Sequence, residues 1–356
     1  MMAIPPKTEP TATPRSNTTR RHLTDLGISA LQFISAVVAV LLKTCLIHPG
    51  QDNTIYYILL LLSSLVNNIG KNQDFWYNII VFWLYVMNYI QALVLGIIQG
   101  LTEFLPVSSS GHLVLFPRLF GWSDQGIAFD VVLHLGTLVA VVIFLRKKLW
   151  LIIKSFFDFK NKEEITLQNR HLGWLLIISI IPAGLVALFF DSWIEESLRS
   201  PLIVAGTLIF WGIILWLADN YSQKQESKKN MEKLTWKNAL FIGLAQAMAL
   251  VPGTSRSGIT MTAGLFSKLD RKSTAEFSFL VSVPIIFLAG VTAIKDLFEI
   301  GLGNIELSYL LVGFISAMVS GLLAVWGLMR IIQKWSFKPF VIYRILLGLI
   351  IIVFFI

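Results

Sequence analysis

Apolar runs separated by short polar segments recur along most of the chain. Those at 127–145, 171–190, 201–218, 274–294, 307–329 and 339–356 are each of a length that a helix needs to cross a bilayer. Two further stretches, 89–117 and 238–266, are apolar but broken midway by Pro, Gly and clustered Ser. Broken helices at membrane depth are tolerated only where protein or a polar cavity covers them. Upstream, Leu26 to Ile47 reads as a span and Thr54 to Leu65 as a shorter apolar run. Phe75 to Leu105 is too long for one simple span, and it reads as a span followed by a new element beginning near Asn88. Residues 1–25, rich in Ser, Thr, Pro and Arg, read as a disordered polar tail rather than a targeting peptide.

Composition narrows the class. Of 356 residues, 55% are hydrophobic and 14% charged, against roughly 25% charged in an ordinary globular domain. A soluble enzyme, a disordered chain and a disulfide scaffold are excluded, and a polytopic membrane protein is expected. The single cysteine, Cys45, has no internal partner for a disulfide. The net charge of +8 belongs to loops. With no basic stripe on a soluble domain, nucleic acid is not an expected partner, and the bilayer is.

Loop charge orients the spans. The segment Arg146 to Arg170 carries Lys147, Lys148, Lys154, Lys160 and Lys162, which places it on the cytoplasmic side. The lysines between 219 and 237, the trio Lys268, Arg271 and Lys272, and the group Arg330, Lys334 and Lys338 read the same way. Asp191, Glu195 and Glu196, and later Asp296, Glu299 and Glu306, mark outside loops.

The two broken stretches match each other. Ala92, Leu93, Gly96 and Gln99 align with Ala239, Leu240, Gly243 and Gln246 at one constant offset. At the same offset Ser108-Ser109-Ser110-Gly111 falls on Ser255-Arg256-Ser257-Gly258. Each stretch must return to the side it came from, and three spans lie between them, so the copies are antiparallel. The expected fold is all-α: inverted-topology repeats at about 88–218 and 238–356, each a re-entrant helical hairpin plus three transmembrane helices. Residues 26–87 would add extra N-terminal helices. Inverted repeats with interrupted helices characterise many secondary transporters, with the site near the midplane.

The chemistry gathers at the hairpin tips. Gln99 and Glu103 lie four residues apart, on one helix face. A carboxylate at membrane depth faces the protein interior. The turn Ser108-Ser109-Ser110-Gly111 offers hydroxyls and N–H groups at a helix start, an arrangement that binds phosphate and that also caps helices without any ligand. His112 follows one turn on. In the second tip, Arg256 between Ser255 and Ser257 needs an anion, either Glu103 across the repeat axis or a phosphate. Thr260 lies one turn further. Asp130 and Glu276 occupy similar places in the two copies and are expected to cap helices; His134 has no assigned role. There is no zinc spacing, Walker loop or nucleophile elbow. The residue set suits phosphate ester or anhydride chemistry with a hard cation, Mg²⁺, between carboxylate and phosphate.

QGLTEFLPVSSSGH at 99–112 and PGTSRSGIT at 252–260 resemble the two signature motifs of the undecaprenyl-diphosphatase (bacitracin resistance protein) family. FDVVLHLGTLVAV at 129–141, AEFSFLVSVP at 275–284 and KPFVIYRILLG at 338–348 are also similar to it. The resemblance covers roughly 88–356. It implies a divalent-cation-dependent phosphatase of the bacterial cytoplasmic membrane. Such an enzyme removes the terminal phosphate of undecaprenyl diphosphate, recycles the lipid carrier for peptidoglycan and confers bacitracin resistance. Its site would open to the outer face. By motif, the metal positions fall on Gln99 and Glu103, and the catalytic ones on Glu103, Ser109, His112 and Arg256. Substrate-binding ones fall on Ser108, Ser110, Gly111, Ser255, Ser257 and Thr260. The nucleophile is Ser109 or water, and the base His112 or Glu103. Gln99 departs from the Glu often found there, and Ser110 from a frequent Thr. A prenyl-phosphate or ion transporter on the same scaffold is the rival reading, and a homodimer is left open.

Overall fold

The computed structural model describes residues 73–120, 122, 126–158, 160, 162–198, 200–300 and 307–355. The expected tail at 1–25, the span at Leu26 to Ile47 and the run at Thr54 to Leu65 lie outside the described residues. By contacts the chain divides into two units, Met1–Val86 and Met87–Ile356. The second unit holds both broken stretches and all six uninterrupted apolar runs.

Ten α-helices form the described chain: α1 Gln73–Phe104, α2 Ser109–Phe120, α3 Gly126–Phe157, α4 Glu164–Ser197 and α5 Pro201–Gln223 are the first five. They are followed by α6 Trp236–Ala247, α7 Arg256–Phe266, α8 Arg271–Ile300, α9 Leu307–Lys334 and α10 Lys338–Phe355. Among the described residues, α3, α4, α5, α8, α9 and α10 contain the six segments long and apolar enough to cross a membrane. They match the six uninterrupted runs read from the sequence. The described residues are thus all-α and have the makings of a polytopic membrane protein. Exposed Trp150, Trp236 and Trp335 adjoin lysine-rich segments, a placement suited to the polar edge of a bilayer.

Two local expectations need correction. The division between the two units does fall near Asn88, after Val86, but no new helix starts there, because α1 is one helix from Gln73 to Phe104 and no Gly or Pro falls between Gln73 and Gly96 to interrupt it. Nor do Asp130 and Glu276 cap helices, since each lies beyond the first turn of α3 or α8. Asp270 holds the start of α8 instead, accepting from the Ser273 backbone N–H at 2.8 Å and its hydroxyl at 2.9 Å.

Helix α3 packs on α9, α8 and α4; α8 also packs on α7, and α5 packs on α10 and α7. The first short arm, the end of α1, lies against α9. A Cβ on Gly96 would collide with Ser316, and Ser320 donates to the Gly96 carbonyl at 3.3 Å. The second arm, α6, lies against α4 in the same manner. Gly243 abuts the Ser179 backbone, and Ser179 donates to the Ala239 carbonyl at 3.1 Å. Beneath the arms Phe104, fully buried, meets Phe279 edge-on at 5.6 Å. At the lysine-rich end, Asp219 receives Arg271 through two nitrogens, at 2.7 and 3.0 Å, and the Phe337 N–H at 3.2 Å. That carboxylate ties the end of α5 to the starts of α8 and α10.

Candidate active site

Both hairpins turn over within a few residues, and both turns end on a serine in an unusual conformation. After α1, Val107 N–H bonds back to Leu105 O at 2.7 Å, and Ser108 then takes φ 74° before α2 begins. After α6 and a single 3₁₀ turn at Met248–Leu250, Gly253 takes φ 86° and Ser255 takes φ 72° before α7 begins. Gly253 suits its position because a Cβ there would be strained and would strike the α5 backbone at Val204. The serines have no such freedom, and non-glycine residues at positive φ cluster at functional sites. In each tip the serine hydroxyls on either side of the middle residue approach one another, Ser108 to Ser110 at 3.3 Å and Ser255 to Ser257 at 3.2 Å.

The tips meet around Glu103, which is 7% exposed. Arg256 Nη2 donates to Glu103 Oε1 at 2.6 Å. The other oxygen, Oε2, accepts from Ser109 Oγ at 2.7 Å and from Gln99 Nε2 at 3.1 Å. Ser257 Oγ adds a direct link to the Leu105 carbonyl of the first tip at 2.9 Å. One carboxylate therefore carries a guanidinium, a hydroxyl and an amide, which holds the ionised form in a buried place. Among the described residues, two buried polar atoms beside it have no partner: Arg256 Nη1 and Gln99 Oε1. A spare donor and a spare oxygen at a carboxylate are what an oxyanion and a cation would use.

The remaining expected residues fall into two groups. Ser108, Ser110, Gly111, Ser255 and Ser257 lie in or beside the two turns. His112 and Thr260 bond groups other than Glu103. His112 bonds Ser108 O through Nδ1 at 2.6 Å and the Tyr343 hydroxyl through Nε2 at 2.7 Å. Both ring nitrogens of His112 are thus engaged by groups other than Ser109 and Glu103. Thr260 bonds Arg256 O at 2.8 Å and Ser278 Oγ at 2.7 Å, so it ties α7 to α8.

Sequence reasoning missed three residues here. His134 brings Nε2 to 3.9 Å from Glu103 Oε2, while its Nδ1 meets Asp130 O at 2.7 Å. Tyr343 reaches His112. Arg344, fully buried, reaches the carbonyls of Gly253 and Thr254. A charged residue inside the apolar run 339–356 was a usable signal for the last of these.

The family model for bacitracin resistance protein BacA matches residues 92–350, which include both tips and all six spanning segments but the last few residues. The chain belongs to the bacitracin resistance protein BacA family. Among curated relatives, undecaprenyl-diphosphatase 2 of Stutzerimonas stutzeri (strain A1501) is 45% identical over 269 residues, 76% of this chain and 99% of that one. Undecaprenyl-diphosphatase 1 of Pseudoalteromonas translucida (strain TAC 125) is 44% identical over 268 residues, 75% of this chain and 99% of that one. The undecaprenyl-diphosphatase of Campylobacter curvus (strain 525.92) is 44% identical over 271 residues, 76% of this chain and all of that one. The BacA similarity thus runs through nearly the whole length of each of these relatives.

Proposed function

We propose that the chain is an integral membrane phosphatase that hydrolyses undecaprenyl diphosphate to undecaprenyl phosphate and inorganic phosphate. It would return the lipid carrier to peptidoglycan synthesis in the bacterial cytoplasmic membrane. The observation that carries this reading is the Glu103 carboxylate held by Arg256 on one oxygen and by Ser109 on the other, in a family whose curated relatives are named for that hydrolysis. The transporter reading is not favoured, because the same relatives are named as diphosphatases.

The residues suggest a sequence of steps. The prenyl tail lies along the lipid-facing helices and the diphosphate enters between the tips. Arg256 Nη1, which lacks a partner, binds a phosphate oxygen. Ser109 Oγ attacks the terminal phosphorus as its proton passes along the existing hydrogen bond to Glu103 Oε2. The bond from that phosphorus to the bridging oxygen breaks, and its electron pair leaves with undecaprenyl phosphate. Arg256 offsets the charge that gathers there. Glu103 gives that proton to the departing undecaprenyl phosphate and is a carboxylate again; water then attacks the phosphoserine, Glu103 takes the water's proton and passes it to the serine oxygen as it leaves.

A divalent cation, Mg²⁺, fits the donor set. Gln99 Oε1 is an oxygen without a partner beside Glu103. Gln246 Oε1 also lacks one, but Leu250 stands where the first tip has Glu103, so the second tip has no such pair. Among the described residues no group of three His, Cys, Asp or Glu is close enough to cage a metal. Glu103 and Gln99 would therefore hold the ion together with water and phosphate oxygens, as is usual for Mg²⁺. Bound, the ion supplies further neutralisation of phosphate charge.

We extend the proposal to topology. The repeats are inverted copies whose tips meet near the midplane, with the site open to the outer face. In support stand the matched serines at φ 74° and 72° and the matched arm contacts, Gly96 on α9 and Gly243 on α4. The lysine-rich segments, expected on the cytoplasmic side, support that orientation. The test of function is phosphate release from a C55 prenyl diphosphate by purified protein in detergent, with Mg²⁺ and with EDTA. Metal-dependent release supports the reading. No release from folded protein contradicts it.

A further inference from the structure

We infer that the adjacent residues Tyr343 and Arg344 of α10 are positioning residues that hold both hairpin tips in register and so set the geometry around Glu103. Arg344 is fully buried in an otherwise apolar helix. Among the described residues it has no carboxylate partner; its fork is turned on backbone carbonyls. Nη2 donates to Thr254 O at 2.8 Å and to Gly253 O at 3.1 Å, in the second tip. Nη1 reaches Pro106 O of the first tip at 3.4 Å, and Nε donates to Leu208 O of α5 at 3.2 Å. A buried guanidinium without an anion is costly, and an aliphatic side chain would fill the same space without that penalty. What Leu or Met cannot do is bond carbonyls of two different turns at once. Arg can, because its donors are fixed in a planar fork.

Tyr343 acts on the first tip through His112. His112 Nδ1 faces the Ser108 carbonyl, so Nδ1 carries the proton. Nε2 then accepts from the Tyr343 hydroxyl, and the two rings lie parallel within 2° at 5.6 Å. The consequence is symmetric in effect and different in means. The carbonyl of Ser108, at φ 74°, immediately precedes Ser109, and the carbonyl of Thr254 immediately precedes Ser255, at φ 72°, and then Arg256. One dipeptide thereby fixes the backbone just ahead of the hydroxyl and just ahead of the guanidinium that share Glu103. This explains what His112 does when it does not bond the carboxylate.

The role in turnover rests on the phosphatase reading, so the test has a readout independent of activity. Amide hydrogen exchange is followed in the full-length protein in detergent, for peptides covering 105–110 and 251–257. Arg344→Met is expected to speed exchange about tenfold at both tips, and Tyr343→Phe at the first tip only, with the long helices unchanged. In the same preparations kcat for phosphate release should fall by roughly 100-fold and 10-fold respectively, with KM nearly constant. Arg344→Lys, which keeps the charge but cannot span both turns, should protect the second tip alone. Unchanged exchange at both tips in Arg344→Met would overturn the inference, as would a uniform rise across all helices, which marks a merely structural residue. Faster exchange at the tips with no phosphate release from the wild type would uphold the positioning role and refute the phosphatase reading.

Discussion

The two hairpin tips have nearly the same backbone and opposite chemistry. Each ends a short arm, turns through a serine at positive φ, and starts a helix of about three turns. At the middle serine position the first tip has Ser109 and the second has Arg256. One turn before the break, the first has Glu103 and the second Leu250. So the first tip brings a carboxylate and a hydroxyl, and the second brings only positive charge and donors. A shared turn geometry places the middle residue at the centre, and two substitutions on it make that centre asymmetric. A site built from two identical tips would pair like with like; this one pairs acid with base.

The largest expected effects come from removing that asymmetry. Glu103→Gln keeps the shape and an acceptor but removes the charge and the base. Phosphate release should fall by at least about 1,000-fold. Arg256→Ala should abolish turnover with the protein still folded. Because it leaves a buried carboxylate unpaired, it should also lower stability by about 3 kcal/mol, measured by thermal unfolding in detergent. Near-wild-type activity in either variant would mean that the acid and base of the two tips do not work as a pair.

The middle and outer serines separate next. Ser109→Ala should lower kcat by roughly 100-fold or more, while Ser110→Ala, whose hydroxyl contacts Ser108 rather than Glu103, should change it by only a few-fold. Equal losses would remove the special place of Ser109. Gln99→Glu bears on the metal. A second carboxylate should lower the Mg²⁺ concentration at half-maximal activity several-fold, as read by titration against EDTA.

Much of this was legible in the sequence. The six spanning runs are long, apolar and bounded by charge, so burial in lipid alone specifies them. The tips announced themselves because Pro, Gly and several Ser cluster within a few residues inside an otherwise apolar stretch. The pairing of Arg256 with Glu103, 153 residues apart, was open to inference because each interrupted stretch carries one charge of opposite sign near its tip and a carboxylate at membrane depth faces the protein interior. Other features depend on packing that no local pattern encodes. Nothing near His112 says that its ring will stack on Tyr343, 231 positions later. The expected caps at Asp130 and Glu276 failed because both residues lie inside their helices, past the first turns that begin at Gly126 and Arg271.

The smallest effect compares the two strained serines. Ser108→Gly relieves the positive φ and loses no backbone bond of its side chain, so it should stabilise the protein by up to about 1 kcal/mol. Ser255→Gly relieves the same strain but also loses the cap to the Gly258 N–H at 3.1 Å, and should come out near zero. Equal shifts in Tm would show that the cap carries no weight.

If one carboxylate, shared between the tips, performs the hydrolysis, its charge must be indispensable. The decisive experiment is phosphate release from a C55 prenyl diphosphate, comparing wild type with Glu103→Gln in Mg²⁺ at equal folded concentration. Steady release from the wild type and release near background from the variant are expected. Comparable rates from the two would contradict the shared-carboxylate mechanism.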